Sequence, residues 1–156
     1  MWQGNARAQR GFTLVELVIV MAVIALVLSV VIPNLRGMQQ EGQLTKVDQE
    51  LQTLKSAITS YWRNNAHVFP TNVHSDLTNA SPALISQALP DPFKTDVANN
   101  TYGYVKGTDG TFGDYFAIYT KGPKGDTAVP SWDALNGRFT YTGSGRVISN
   151  APVLKQ

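Results

Sequence analysis

The sequence predicts an α+β chain: one long N-terminal helix, apolar in its first half and amphipathic in its second, packed on a small antiparallel β head. Three observations carry that expectation. Residues 17–32 read LVIVMAVIALVLSVVI, without a charge and with a single hydroxyl. Beyond a proline, apolar residues then recur at spacings of three and four. After residue 100, short β-rich runs alternate with turn-forming Gly, Pro, Asn and Asp.

The apolar run comes first. At roughly 1.5 Å rise per residue, a helix from Phe12 to Ile32 spans a hydrocarbon core of about 30 Å. Arg7 and Arg10 precede it with no acidic residue beside them, a positive-inside signal that places the N-terminus in the cytoplasm. Without these two arginines, eleven basic residues face eleven acidic ones. The residual balance gives no basic stripe, so nucleic acid is not an expected partner. The chain has no cysteine, which excludes thiolate metal sites, redox motifs and disulfides.

An ordinary secretory signal is followed by a small-residue cleavage site; here the run ends in Ile32-Pro33-Asn34-Leu35-Arg36, which offers none. The unusual residues stand in front of the run, at Arg10-Gly11-Phe12-Thr13-Leu14-Val15-Glu16. Glu16 abuts a would-be membrane anchor, and a carboxylate at the bilayer centre costs roughly 2.5–3.5 kcal/mol on insertion scales. It needs a partner or a polar path. The plain alternative leaves Glu16 at headgroup level in a simple signal anchor.

Pro33 and Gly37 interrupt the pattern where the apolar run stops, and a kink or melted turn is expected there. Leu44, Val47, Leu51, Leu54, Ile58 and Tyr61 then form one stripe on a soluble helix that ends near Arg63. The stripe covers fewer than three heptads, short for a coiled coil, so it is expected to pack on its own head. After the loop at Pro70, Asn72 and Asn79, Ser81-Pro82-Ala83-Leu84 reads as a helix start, running to about Leu89. Strands are expected over 101–106, 114–121, 138–142 and 146–149. Asp109-Gly110, Gly122-Pro123 and Gly143-Ser144-Gly145 separate them. Tyr104, Tyr115, Ala117, Tyr119, Phe139 and Tyr141, or their alternates, would fill the core. The expected organisation is 1–11, 12–35, 36–65 and 66–156: a basic N-terminal segment, apolar helix, amphipathic helix and head.

The stretch from Arg10 to Glu16 resembles the cleavage motif of type IV pilins and type II secretion pseudopilins. That resemblance implies cleavage between Gly11 and Phe12 by prepilin peptidase, methylation of the new amine at Phe12, and retention of the helix. In a filament the Phe12 amine of one subunit would meet Glu16 of its neighbour and set axial register. Asp91-Pro92-Phe93, Tyr102-Gly103-Tyr104, Gly113-Asp114-Tyr115 and Gly122-Pro123-Lys124-Gly125-Asp126 resemble the C-terminal half of major pseudopilins. The absence of cysteine agrees, since many pilins of motile bacteria close this region with a disulfide.

The resemblance implies a single-pass inner-membrane protein with a periplasmic head, assembled into a homopolymeric filament that supports secretion. Minor pseudopilins, a polytopic platform protein and a cytoplasmic ATPase are the implied partners. A type IV pilus subunit for adhesion, motility or DNA uptake is the alternative, because the leader motif does not separate the two. The resemblance also implies a calcium site in the loop after the Gly-Asp-Tyr strand, with Asp126 and Asp133 as candidate ligands. Lys124 stands where an acid is usual, and both aspartates serve equally as turn formers. His67 and His74 are too few ligands for a metal. No Ser-His-Asp set, P-loop or carboxylate pair suggests catalysis, and a monomeric anchored binding module is the remaining rival.

Overall fold

A computed structural model of the chain describes residues 12–94 and 100–156, and the side chains of 33–36 lie outside that description. Its elements are α1 (Leu14–Asn64), α2 (Val73–Thr78), β1 (Gly103–Asp109), β2 (Gly113–Tyr119), β3 (Ser131–Asp133), β4 (Arg138–Tyr141), β5 (Val147–Ser149) and β6 (Val153–Lys155). The expected α+β class is observed. The helical assignment runs through Pro33 and Gly37, so the melted turn expected there is absent. The chain divides into two compact units, Met1–Gln39 and Gln40–Gln156.

In the first unit the large apolar residues from Leu14 to Ile32 are all solvent-exposed, with nothing of the same chain covering them. In the second unit the stripe behaves as its spacing demands. Val47, Leu51, Leu54 and Ile58 are buried with Ala57, and Tyr61 packs partly buried against the same cluster. Phe116, Ile118, Tyr102, Val73 and Leu77 complete the core. Each fully buried Leu or Ile contributes roughly 1.5–3 kcal/mol over its exposed state. The helix therefore serves the head rather than a coiled coil.

α1 ends in a reversal: Ala66 and His67 adopt the left-handed region at φ 51° and 61°, and the His67 N–H donates to Trp62 O at 3.0 Å. The next helix is α2, not the expected segment from Ser81 to Leu89. Asn72 caps α2, its Oδ1 accepting from the His74 and Ser75 amides at 3.2 and 3.3 Å. Asp76 reaches back to accept from the Asn72 and Thr71 amides. The Leu84 amide is instead tied to Leu77 O at 3.0 Å, so residues 81–89 wrap α2 as irregular chain.

The strands form two three-stranded sheets. In the first, β2 lies between β1 and β5, both antiparallel to it. In the second, β4 pairs antiparallel with β3 and parallel with β6. Along β2 the side chains alternate. Phe116 and Ile118 join the α1 cluster, while Tyr115 points away and stacks on Trp132 at 4.0 Å and 8°. Phe139 closes this far side, edge-on to Tyr115 and Trp132. β3 and β6 were not expected: three residues each, they gain strand form by pairing with β4. In β1, Gly103 and Gly107 pair with Tyr119 and Tyr115, whose rings lie across the bare glycine backbone; a Cβ at either glycine would collide with the facing ring.

Candidate functional site: the start of the long helix and the head loops

Phe12 and Thr13 precede α1 in non-helical conformation, and Phe12 is 79% exposed. The Thr13 hydroxyl accepts from the Glu16 amide at 3.2 Å, and Thr13 O accepts from the Leu17 amide at 3.2 Å. Thr13 is thus the N-cap, and Glu16 stands at the third helical position. The spacing is T-x-x-E, a capping-box signature that the sequence reading passed over. Glu16 also sits at the positive end of the helix dipole. Among the described residues no ion pair engages its carboxylate. Gly11 lies outside the described residues. The helix beginning here is long and apolar enough to cross a membrane.

Asp109 and Asp133 brace their own turns, whereas Asp126 reaches across to another loop. Asp126 accepts from the Ser144 amide at 2.7 Å and the Ser144 hydroxyl at 2.6 Å, and these donors hold its carboxyl below the usual carboxylate range, aided by Lys124. Asp133 accepts from the Asn136 side chain at 2.7 Å and from the Leu135 and Asn136 amides, which lower its pKa in that order of residues 136 then 135. Arg138 Nε lies 3.4 Å from Asp133 Oδ2, a charge contact without hydrogen-bond alignment. Asp109 accepts from Trp132 Nε1 at 3.0 Å and from the Thr111 and Phe112 amides, with its pKa lowered chiefly by the indole.

Calcium takes six to eight oxygens. Among the described residues no three His, Cys, Asp or Glu side chains gather to hold an ion. Asp133 is engaged by its own turn, and Asp126 by Ser144 of the separate 143–145 loop. Asp126 and Asp133 thus have no third such side chain beside them among the described residues; the hydrogen bonds of Asp133 match the turn-forming alternative, whereas Asp126 ties two loops together. His67 packs edge-on to Trp62, and His74 Nε2 lies 3.5 Å from Tyr102 O.

Sequence reasoning missed a buried polar knot. Asp91 is 1% exposed, and its carboxylate accepts from the Thr120 hydroxyl at 2.6 Å, the Lys121 amide at 3.0 Å and the Phe93 amide at 3.0 Å. Thr127, also buried, accepts from the Gly145 amide at 2.7 Å. An Asp-Pro pair before an aromatic was the visible signal, and the carboxylate's distant partners were not.

The prokaryotic N-terminal methylation motif matches residues 6–32, a stretch that includes Arg10, the Thr13 cap and the apolar run. The chain carries this motif and is similar to type II secretion system core protein G. Type II secretion system core protein G of Dickeya chrysanthemi is 26% identical to this pilin-like chain over 152 residues, 89% of the chain and 96% of the relative. Core protein G of Escherichia coli K12 is 33% identical over 76 residues, 49% of the chain, and that match spans about half, 52%, of the relative's length. A fimbrial protein of Pseudomonas aeruginosa is 39% identical over 54 residues, 35% of each chain. No solved structure matches the pilin-like chain.

Proposed function

We propose that this chain is the structural subunit of a type II secretion pseudopilus. Prepilin peptidase would cut it after Gly11 and methylate Phe12. The observation that carries the assignment is the extent of similarity to core protein G, which in the Dickeya protein continues through the head, whereas the fimbrial match covers 54 residues.

The physical scheme follows from the first unit. Before assembly, the exposed residues from Leu14 to Ile32 sit in lipid, with the arginine-bearing leader in the cytoplasm and the head in the periplasm. On assembly, lateral packing of these helices replaces lipid contacts. The Glu16 carboxylate, capped in backbone but without a charge partner, then meets the Phe12 amine of the adjacent subunit. That pairing discharges two costly groups at once and fixes how far each subunit climbs past the last. Minor pseudopilins, a platform protein and a cytoplasmic ATPase would initiate and drive the filament. The chain itself is a substrate of the peptidase and carries no catalysis.

Two measurements test this. The intact mass of membrane-extracted protein should correspond to a chain starting at Phe12 with one added methyl group; full-length mass would refute the processing. Vortexing cells at native expression should leave the mature protein cell-bound. Release in long surface filaments would make it a pilin, the reading that the fimbrial match favours.

A further inference from the structure

Two chemically labile dipeptides of the head lie in neighbouring turns. Asn136-Gly137 is the only Asn-Gly pair in the sequence, and Asp109-Gly110 the only Asp-Gly pair. A glycine after asparagine offers its amide nitrogen to the side-chain carbonyl carbon with no Cβ in the way. Stripped of its proton, the Gly137 nitrogen attacks Asn136 Cγ. An N–C bond forms, the Cγ–Nδ2 bond breaks, and Nδ2 departs as ammonia with the proton that the Gly137 amide gave up. The cyclic imide then takes up water, which opens either of its carbonyls and leaves aspartate or isoaspartate. In both products an NH2 has been exchanged for an OH.

The β3–β4 turn holds both reacting groups. The Gly137 amide donates to Asp133 O at 2.9 Å, so the would-be nucleophile keeps its proton in a hydrogen bond. Asn136 Nδ2 donates to Asp133 Oδ2 at 2.7 Å, and because a carboxylate only accepts, this contact fixes which way the amide faces. Asp133 Oδ1 takes the Leu135 and Asn136 amides at 3.1 and 3.3 Å, and Arg138 Nε lies 3.4 Å from Oδ2. Gly137 is buried at φ 60°, with the Phe112 ring so close that a Cβ there would meet it at 2.5 Å. Asp109 positions that ring: it accepts from the Phe112 amide at 3.1 Å and from Trp132 Nε1 at 3.0 Å, and the Trp132 indole lies edge-on to Phe112. The Asp109 carboxylate is thereby spent as an acceptor, and an ionised carboxylate is a poorer target for attack than an amide. Asn136 itself is exposed to the water that the second step consumes.

We infer that Asn136 is a deamidation site that the folded turn keeps shut, with Asp133 as its latch and the Phe112 ring as its cover. The reaction proceeds from the opened turn, so its rate in the folded protein measures how often the turn opens. Conversion undoes the latch for good. It sets a second carboxylate beside Asp133, where like charges repel. The isoaspartate product also lengthens the main chain by a carbon between Trp132 and its β4 partner Phe139. The site lies in the head alone and stands whether or not the chain assembles.

Full-length protein in detergent, held at mildly alkaline pH and sampled over weeks by peptide mapping, tests this. Mapping reads the mass gain at Asn136 and separates aspartate from isoaspartate. The folded wild type should react at least about tenfold more slowly than the same chain in urea. Asp133→Ala, shown to be folded by circular dichroism, should react about tenfold faster than the folded wild type, having lost the acceptor of the amide side chain. Phe112→Ala leaves every Asp133 bond in place and should speed the reaction by less, and Asn136→Gln should show no conversion at 136. Equal rates for folded and urea-treated wild type overturn the inference, as does a folded Asp133→Ala that reacts no faster than wild type. Should Asp133→Ala not fold, Phe112→Ala decides in its place, and an unchanged rate there overturns the inference too.

Discussion

Asp91 offers a sharp test of how the head is held together. Its carboxylate is 1% exposed and engages the Thr120 hydroxyl and the Lys121 and Phe93 amides, fastening the loop after Pro90 to the end of β2. Asp91→Ala strands three donors. A buried donor left unmade costs about 1–3 kcal/mol, and a hydrogen bond to a charged group contributes about 1.5–3 kcal/mol. The Thr120 hydroxyl can rotate, and Lys121 and Phe93 are only partly buried, so water recovers part of the loss. We expect a destabilisation of about 3 kcal/mol, near the lower end of the summed costs. For a head of this size that lowers the melting temperature by roughly 10–15 °C. Asp91→Asn keeps the shape and one acceptor but turns an amide donor towards other donors, and about 1–2 kcal/mol is expected. The assay is thermal denaturation of the full-length protein in detergent, followed by near-ultraviolet circular dichroism. Trp132, stacked on Tyr115, supplies a tertiary signal. A melting temperature for Asp91→Ala within about 3 °C of wild type would show that the knot is not a fastening. A larger effect from Asn than from Ala would also refute the reasoning, because it would assign the loss to shape and not to unmade bonds.

Other expectations can be checked alongside. Glu16→Ala should insert and be processed normally yet fail to assemble, and normal filaments on electron microscopy would remove charge pairing as the source of axial register. Leu54→Ala empties a fully buried position and should cost about 2–5 kcal/mol in denaturant unfolding. Burial, the largest cause, lowers the His74 pKa from 6.5, so the folded state resists a proton that the unfolded state accepts. Stability should therefore fall as pH drops below about 6.5, through the window down to the depressed folded value, and His74→Gln should flatten that slope. Calcium should raise the melting temperature no more than magnesium does. A calcium-specific rise would mean that the ion displaces the Ser144 donors from Asp126.

Much of the fold was legible because it is written locally. The apolar run of 17–32 and the stripe from Leu44 to Tyr61 need only helical periodicity, and the stripe faces the core. β1, β2, β4 and β5 lie within two or three residues of their expected ranges, since Gly-rich turns bound them. What was missed depends on distant partners. β3 and β6 are too short to declare themselves and exist through β4, with β6 parallel to it. The helix placed at Ser81 lost to α2, where Asn72 and Asp76 satisfy four amides between them. The buried member of each β2 pair also differed: Tyr115 and Tyr119 are partly covered by far-side rings and glycines, while Phe116 and Ile118 are buried in the helix cluster. At the candidate site, Glu16 was legible from its cost in lipid, whereas the Thr13 cap was visible in T-x-x-E spacing and overlooked. Calcium was expected by analogy, and the bond from Asp126 to Ser144 depends on a loop eighteen residues away that sequence spacing does not reveal.

The glycine–tyrosine pairs of the β1–β2 hairpin constrain how this chain can drift. Gly103 faces Tyr119 and Gly107 faces Tyr115, and a side chain at either glycine fits only if the facing ring swings aside. Enlarging a glycine with the ring in place requires shrinking the opposite tyrosine, which uncovers bare backbone in the middle of the sheet. Each order of substitution passes through a worse hairpin. A change in one member of a pair therefore disturbs the other, and a slide of β1 by two residues would bring Val105 under a tyrosine ring that now lies over bare backbone. Four residues thus help to hold the hairpin's alignment.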